Sequence, residues 1–314
     1  MSFLGFISET FDIQYHLALE EFLLKNKSEN FFFLWRSNPC VVIGKHQNPY
    51  KELDIPLCYE HNVPVARRIS GGGTVYHDLG NINFTIIKNT EEGKQIDLKA
   101  HSSMVFNALK ELGFNIEYSS KNDFLIDGKK FSGNAEHVYK NRVLHHGTLL
   151  YNADLTRLKS LLKDNRKNIE DKTIDSNRSQ VCNLKLYDHS PCSTTEFTQR
   201  LFSKITETNN IDCIPTPFHD NIIELRDQKF KTEEWIFDYT PKYKINKSID
   251  FEGKALNLSL EVLKGTIEKF QLLNVDEQNM HKIEKLLLNQ KHRFSNINSL
   301  LKNTIYSNIS HQLF

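Results

Sequence analysis

Apolar and polar residues change period several times along the 314-residue chain, and each change predicts an element. From about Phe11 to Lys25, Phe11, Tyr15, Ala18, Leu19 and Phe22 recur at helical spacing behind Asp12, a helix with an amino-terminal cap. FFFLWR (Phe31 to Arg36) and CVVIGK (Cys40 to Lys45) are apolar runs around a Ser37-Asn38-Pro39 turn and predict two strands. Lys99 to Leu112 predicts a helix stopped by Gly113, and Asn115 to Tyr118 a short strand. Lys121 to Asn152 predicts three strands, with Asp127-Gly128 as the clearest hairpin turn. A helix to about Lys163 precedes a charged, Asn-rich span, Asp164 to Arg178, that reads as either a solvated loop or an ordered lid. Thr194 to Glu207 is helical in pattern, and Pro241-Lys242-Tyr243 reads as a linker. Beyond it, three strands (Ser248 to Glu252, Ala255 to Leu263, Thr266 to Leu273) precede two helices (Val275 to Asn289, Ile297 to Gln312). The expectation is α+β: a large domain, 1–240, with mixed or antiparallel sheets and packed helices, and a small α+β domain, 245–314.

One stretch breaks the periodicity with chemistry. Val65 to Lys88, VARRISGGGTVYHDLGNINFTIIK, reads as strand, tight glycine loop, strand, hairpin, strand. Three consecutive glycines cost backbone entropy, and a sharp turn alone needs only one or two. Bare backbone N–H groups approaching an anionic or planar ligand, with Arg67 and Arg68 beside them, account for the rest. No Lys-Ser/Thr follows the last glycine, as a phosphate-binding Walker loop requires, and a strand rather than a helix comes next, against a dinucleotide fingerprint.

Composition narrows the partners. Lys and Arg number 40 against 39 Asp and Glu, so net charge makes no case for nucleic acid. No apolar run is long enough to cross a bilayer, and the start, MSFLGFISETFD, resembles no secretory or mitochondrial leader. Five cysteines without a CxxC pair read as free thiols in a reducing cytoplasm.

Four blocks in order carry a resemblance: RRISGGGTVYHDLGNINF (Arg67 to Phe84), KNDFLIDGKKFSGNAEH (Lys121 to His137), HHGTLLYNADL (His145 to Leu155) and RSQVCNLK (Arg178 to Lys185). Together they resemble the lipoate–protein ligase A family, within the biotin/lipoate protein ligases. The carboxy-terminal unit looks like that family's accessory domain, so the resemblance covers nearly the whole chain. It implies an ATP-dependent enzyme that converts lipoate to lipoyl-AMP and transfers the lipoyl group to one lysine of an acceptor. The implied acceptors are apo lipoyl domains of 2-oxoacid dehydrogenase E2 subunits and the glycine cleavage H protein. A monomer acting in the cytoplasm, with no nucleic acid or membrane partner, is expected.

The resemblance also implies roles. Lys130 aligns with the family lysine that contacts the carboxyl oxygen and the α-phosphate, and Lys129 points to the opposite face of a strand. Arg68 is expected over the triphosphate, and the backbone of Gly73, Thr74, Val75 and Tyr76 at the adenine edge. Asn122 and Asp123 hold the KND position implied to lie near Mg²⁺. The apolar lipoate slot is implied to involve Leu17, Trp35, Ser70, Gly71, Gly72, Val75, His77 and Thr148, together with Lys130. Trp35, by itself, reads more readily as core, while His77 and His146 read equally as ligand contacts or structural histidines. Cys182 stands where many relatives carry threonine.

Two other readings stay open here: a lipoyltransferase using pre-made lipoyl-AMP, and an octanoyl- or lipoyltransferase on the same fold. Against a cysteine-dependent transferase, no cysteine lies between Cys58 and Cys182.

Overall fold

The computed structural model describes residues 2–91, 96–162, 167–176, 179–217 and 219–314. Parts of two sequence features, the Asp164 to Arg178 span and the RSQVCNLK block at Arg178, lie outside the described residues, as does Lys163. In chain order the elements are β1 (Phe3–Ile7), α1 (Ile13–Asn26), β2 (Phe31–Trp35), β3 (Cys40–Ile43), α2 (Pro49–Glu52), α3 (Ile55–Glu60), β4 (Val65–Arg67), β5 (Val75–His77) and β6 (Asn81–Asn89). Next come α4 (Leu98–Glu111), β7 (Ile116–Tyr118), β8 (Phe124–Ile126), β9 (Lys129–Ser132), β10 (Asn134–Tyr139), β11 (Arg142–Leu150), α5 (Leu155–Leu161) and β12 (Ile169–Glu170). The last are α6 (Thr194–Thr208), β13 (Ile211–Cys213), α7 (Asp220–Leu225), β14 (Tyr243–Phe251), β15 (Lys254–Leu263), β16 (Thr266–Leu273), α8 (Glu277–Leu287) and α9 (Phe294–Leu301). The α+β expectation holds. The Lys121 to Asn152 region contains four strands, not three, because Gly133 breaks β9 from β10.

The chain forms two compact units. The first comprises Met1–Lys45, Ala66–Thr156 and Asn177–Phe230. Its main sheet runs β10-β11-β6-β2-β1-β13, antiparallel except where β1 pairs with β2 and β13 in parallel. Alternation sorts its residues onto two faces. One face carries Phe32, Leu34, Phe84 and Ile86 into a core with Val105 and Leu109 of α4 and Phe197 and Leu201 of α6. The other carries Thr85 and His146 toward α1, where both bond Glu20.

Local chemistry fixes the turns. Asp12 caps α1 by accepting from the backbone of Gln14 and Tyr15, and Ser193 and Glu196 form a reciprocal cap on α6. Asp127 and Gly128 both adopt positive φ, 48° and 69°, as a two-residue hairpin with matched twist demands. Gly80 serves a close approach: a Cβ there would lie 2.0 Å from the Asn152 carbonyl oxygen.

The second unit comprises His46–Val65, Arg157–Ser176 and Lys231–Phe314, more than the carboxy-terminal segment alone. Its antiparallel sheet, β12-β14-β15-β16, buries Ile245, Leu258, Leu260 and Phe270, while α8 and α9 bury Ile283, Leu287, Ile297 and Leu301. Tyr243, placed in a linker by its sequence neighbours, opens β14 and is buried. Its hydroxyl meets His292 Nδ1 at 2.7 Å, and Tyr50 donates to the His292 carbonyl. A proline-lysine pair marks the approach to the strand, but the aromatic after it belongs to the core.

Candidate active site

The glycine loop leaves β4 at Arg67 and returns at Val75, and it settles against β10 and β11. Gly72 has φ +87°, and a Cβ on it would stand 3.6 Å from Cβ of Ala135 on β10. Ser70 Oγ lies 2.7 Å from His146 Nε2 on β11. Ala135 and His146 face each other across the β10–β11 ladder, so one patch of sheet carries the whole loop. Gly71 is open: nothing lies within 4 Å of where its Cβ would be.

Behind the loop is a buried polar chain. Trp35 Nε1 donates to Thr85 Oγ1 (2.9 Å), and Thr85 donates to Glu20 Oε1 (2.7 Å). His146 Nδ1 meets Glu20 Oε2 (3.0 Å), and its Nε2 reaches Ser70. Glu20 and Ser70 have no exposed surface. A buried acid is tolerable only when its oxygens are bonded, and here they are. The arrangement fixes the His146 ring and, through it, the serine at the head of the glycine loop. Sequence reasoning missed Glu20 and Thr85 and left His146 ambiguous. The available signal was an acid pair inside the apolar helical run LALEEFLL.

Arg68 differs from the expected free fork over a triphosphate. It is buried, and its Nη2 donates to the carbonyls of Gly71 (2.6 Å) and Gly73 (2.7 Å), Nη1 to Val42 (3.2 Å) and Nε to Ser70 Oγ (3.0 Å). The physical reason is proximity: three loop carbonyls or hydroxyls lie within five residues of it, and each satisfies a donor that burial would otherwise orphan. Burial pulls its pKa down to about 10, with Glu20 opposing, so it remains charged at neutral pH. Arg67 likewise turns inward, donating to the Lys45 carbonyl at 2.9 Å.

Lys130 lies on β9, held from both sides. Its N–H donates to the Gln180 carbonyl (2.9 Å) and its carbonyl accepts from Cys182 N–H (3.0 Å). On the other edge it pairs with Leu125 of β8. Its side chain is one-quarter exposed, with Nζ 3.0 Å from Asp123 Oδ1. Gly133 leaves the room for it, since a Cβ there would sit 3.2 Å from both Cε and Nζ. Gly133 N–H donates to Thr148 Oγ1 (3.2 Å) and its carbonyl accepts from Thr148 N–H (3.1 Å), which brings Thr148 beside the lysine. Asn122 (φ 60°) and Asp123 close a tight turn on Ser119, and the Asn122 carbonyl accepts from Asn134 Nδ2.

The remaining candidates divide by burial. Leu17 is buried on α1, one turn from Glu20, and Trp35 and His77 are also buried, their rings edge to face at 5.6 Å. His16 stacks on Trp35 at 4.4 Å. Among the described residues neither ring nitrogen of His77 has a hydrogen-bond partner, and burial, then the Arg68 charge, hold its pKa down to about 3. A neutral, unpartnered imidazole beside Ser70's loop is a polar handle in an apolar setting. Val75 pairs with Val42 and Tyr76 with Val41, while Gly73, Thr74 and Val75 stay partly exposed. The structure thus gathers Ser70, Gly72, Ala135 and His146 at one point, and Lys130, Asp123, Gly133 and Thr148 at another reached by the same strands.

A mixed sheet whose β10–β11 edge meets both a glycine loop and the β8–β9 hairpin that bears Lys130 is the fold of the lipoyl protein ligases. The family description "Lipoyl protein ligase A/B catalytic domain" matches residues 12–206, and the chain belongs to the lipoate–protein ligase family of the biotin/lipoate ligases. It is 32% identical to lipoate-protein ligase LplJ of Bacillus subtilis over 300 residues, 93% of this chain and 91% of that one. Among solved structures it resembles P. falciparum LipL1 in complex with lipoate, with TM-score 0.61, 26% identity, and coverage of 96% of this chain and 94% of that one. It also resembles a lipoate-protein ligase A bound with ATP, with TM-score 0.60, 25% identity, and coverage of 74% and 97%.

Proposed function

We propose that this chain is an ATP-dependent lipoate–protein ligase that forms lipoyl-AMP and transfers the lipoyl group to a lysine of apo lipoyl domains. The observation that carries the reading is that the open glycine loop and the Lys130 ammonium both meet the β10–β11 pair, the loop through Ala135 and His146 and the lysine through Gly133, which bonds Thr148 of β11. Its relatives support it, since one resembling structure holds lipoate and another ATP.

In the first step the lipoate carboxylate attacks the α-phosphorus of ATP and pyrophosphate leaves. Lys130 supplies positive charge at the transferring group, exchanging its Asp123 partner for phosphate and carboxylate oxygens. In the second, the acceptor amine attacks the acyl carbon, the C–O bond to phosphate breaks, and AMP departs with its charge again beside Lys130. The acceptor ammonium must first lose a proton to water, and docking of the acceptor hairpin orients the amine. Backbone N–H groups from Gly71 to Tyr76 meet the nucleotide. Arg68 keeps their carbonyls turned away from it, as a brace and not a phosphate fork. Leu17, Trp35, Val75, His77 and Thr148 line the dithiolane and alkyl chain, with His77 as the polar handle.

The Asp123 carboxylate, now paired with Lys130, would hold a Mg²⁺ ion beside Asn122. Such an ion would supply charge neutralisation on the phosphates. The acceptors are the E2 lipoyl domains and the glycine cleavage H protein. The enzyme works as a monomer in the cytoplasm, where its five unpaired thiols stay reduced.

The test is incubation with ATP, Mg²⁺, lipoate and an apo lipoyl domain, read by intact mass and pyrophosphate release. One added lipoyl group with matching pyrophosphate is expected. Lys130→Ala should lose on the order of 10² to 10³ in rate. Labelling from pre-made lipoyl-AMP without pyrophosphate from ATP would make it a transferase instead.

A further inference from the structure

The sheet face opposite the glycine loop carries a second cluster. Glu136 on β10 and His145 on β11 are paired across the ladder, and His101 of α4 packs over them. All three side chains are at least 95% buried. His101 Nδ1 lies 2.7 Å and His145 Nδ1 2.9 Å from the same oxygen, Glu136 Oε1. The second oxygen, Oε2, is buried with no hydrogen-bond partner among the described residues. Among the described residues this is the one group of three His, Cys, Asp or Glu ligand atoms gathered closely enough to hold a metal ion.

The tautomer of His145 can be assigned. Asn134 Nδ2 donates to the Asn122 carbonyl at 3.0 Å, which only the amide nitrogen can do, so Asn134 Oδ1 is the atom facing His145 Nε2 at 3.2 Å. The Nε2 atom must therefore carry the proton. In a neutral ring, Nδ1 then turns its lone pair on a carboxylate oxygen 2.9 Å away. Two acceptors in contact need something positive between them. One extra proton would satisfy that pair and still leave Oε2 orphaned. A divalent ion would take both Nδ1 lone pairs and the carboxylate together, with Oε2 or a water completing the shell.

We infer that His101, Glu136 and His145 form a structural site for a divalent ion of the zinc class, on the face of the sheet away from the glycine loop. Two imidazoles and one carboxylate are a borderline-soft donor set that suits such an ion and not Mg²⁺ or Ca²⁺. Metal–ligand bonds of about 2.1 Å in a tetrahedron place ligand atoms about 3.4 Å apart, so the 2.7 Å and 2.9 Å contacts to Glu136 would open by roughly half an ångström on loading. The Asn134 bond to His145 is the outer contact that fixes ring orientation. Through the same amide the ion would steady the Asn122–Asp123 turn.

The experiment uses the full chain, stripped with chelator and then titrated with Zn²⁺ by calorimetry, with Co²⁺ absorption as a second probe. One equivalent binding below micromolar Kd, a rise in Tm, and tetrahedral Co²⁺ bands are expected. His101→Gln and Glu136→Gln should each weaken binding at least 100-fold while circular dichroism shows a folded chain. His281→Gln, at an exposed histidine, should change nothing. Absence of binding by the folded parent overturns the site, as does undiminished binding by folded His101→Gln; if either variant fails to fold, the Co²⁺ spectrum of the parent alone decides, octahedral or absent bands refuting it.

Discussion

Replacing Gly133 by alanine tests whether the position of the Lys130 ammonium, and not merely its presence, sets the rate. The new Cβ would lie 3.2 Å from Cε and Nζ of Lys130 and 4.0 Å from Asp123 Oδ1. Ordinary contact needs about 0.4 Å more, and the yielding atoms are the tip of a flexible side chain, so the fold absorbs the change. Stability should move by less than about 1 kcal/mol, and upward if the lost unfolded-state freedom of glycine dominates. Catalysis has no such slack: a 1 Å misplacement costs about 10²-fold, so roughly 0.4 Å costs on the order of 6-fold. The assay is lipoate-dependent pyrophosphate exchange beside thermal melting. The expected signature is an unchanged or higher Tm with exchange down by about 6-fold. On a Lys130→Ala background the same substitution should add nothing, because the only group it displaces has gone. Exchange within two-fold of the parent, or a full additional loss in the double variant, would refute the reasoning.

Arg68→Lys should lower stability by on the order of 2 kcal/mol, since one ammonium cannot reach the carbonyls of Val42, Gly71 and Gly73 together. Adenylate formation and transfer from lipoyl-AMP should fall in parallel as the loop loosens; a loss confined to ATP binding would restore the phosphate-fork reading. His16, His77 and His292 are buried with pKa values held down to about 3, so below pH 6.5 the unfolded chain binds protons that the folded chain refuses. Stability should therefore drop as pH falls from 6.5 to 5, by up to about 2 kcal/mol per histidine, seen as a falling Tm that His292→Gln partly flattens. Equal melting at pH 7 and pH 5 would contradict it.

Much of the fold was legible because local chemistry agreed with tertiary need. Asp12 before an apolar helix, Asp127-Gly128 between short strands and the glycine loop between β4 and β5 each have a mechanism within a few residues. What was not legible depends on partners distant in sequence. Glu20 finds His146 126 residues away, and nothing local distinguishes it from its neighbour Glu21, whose oxygens pair with Lys25 and Lys229. Arg68 reads from its motif as a phosphate ligand, and its bonds to the carbonyls of Val42, Gly71 and Gly73 are not visible until the loop is folded. Tyr243 looked like linker because Pro241 precedes it, yet burial in a sheet is invisible until β15 is paired.

The backbone of Lys130 is stitched to Gln180 and Cys182, fifty residues further on. During synthesis, the glycine loop, β10 and β11 emerge well before that segment does. A nascent chain that has reached residue 160 holds most of the nucleotide cradle but only one neighbour, β8, for the strand that aims the lysine. The strand that aims the lysine therefore gains its second neighbour only when the segment through Cys182 has been made.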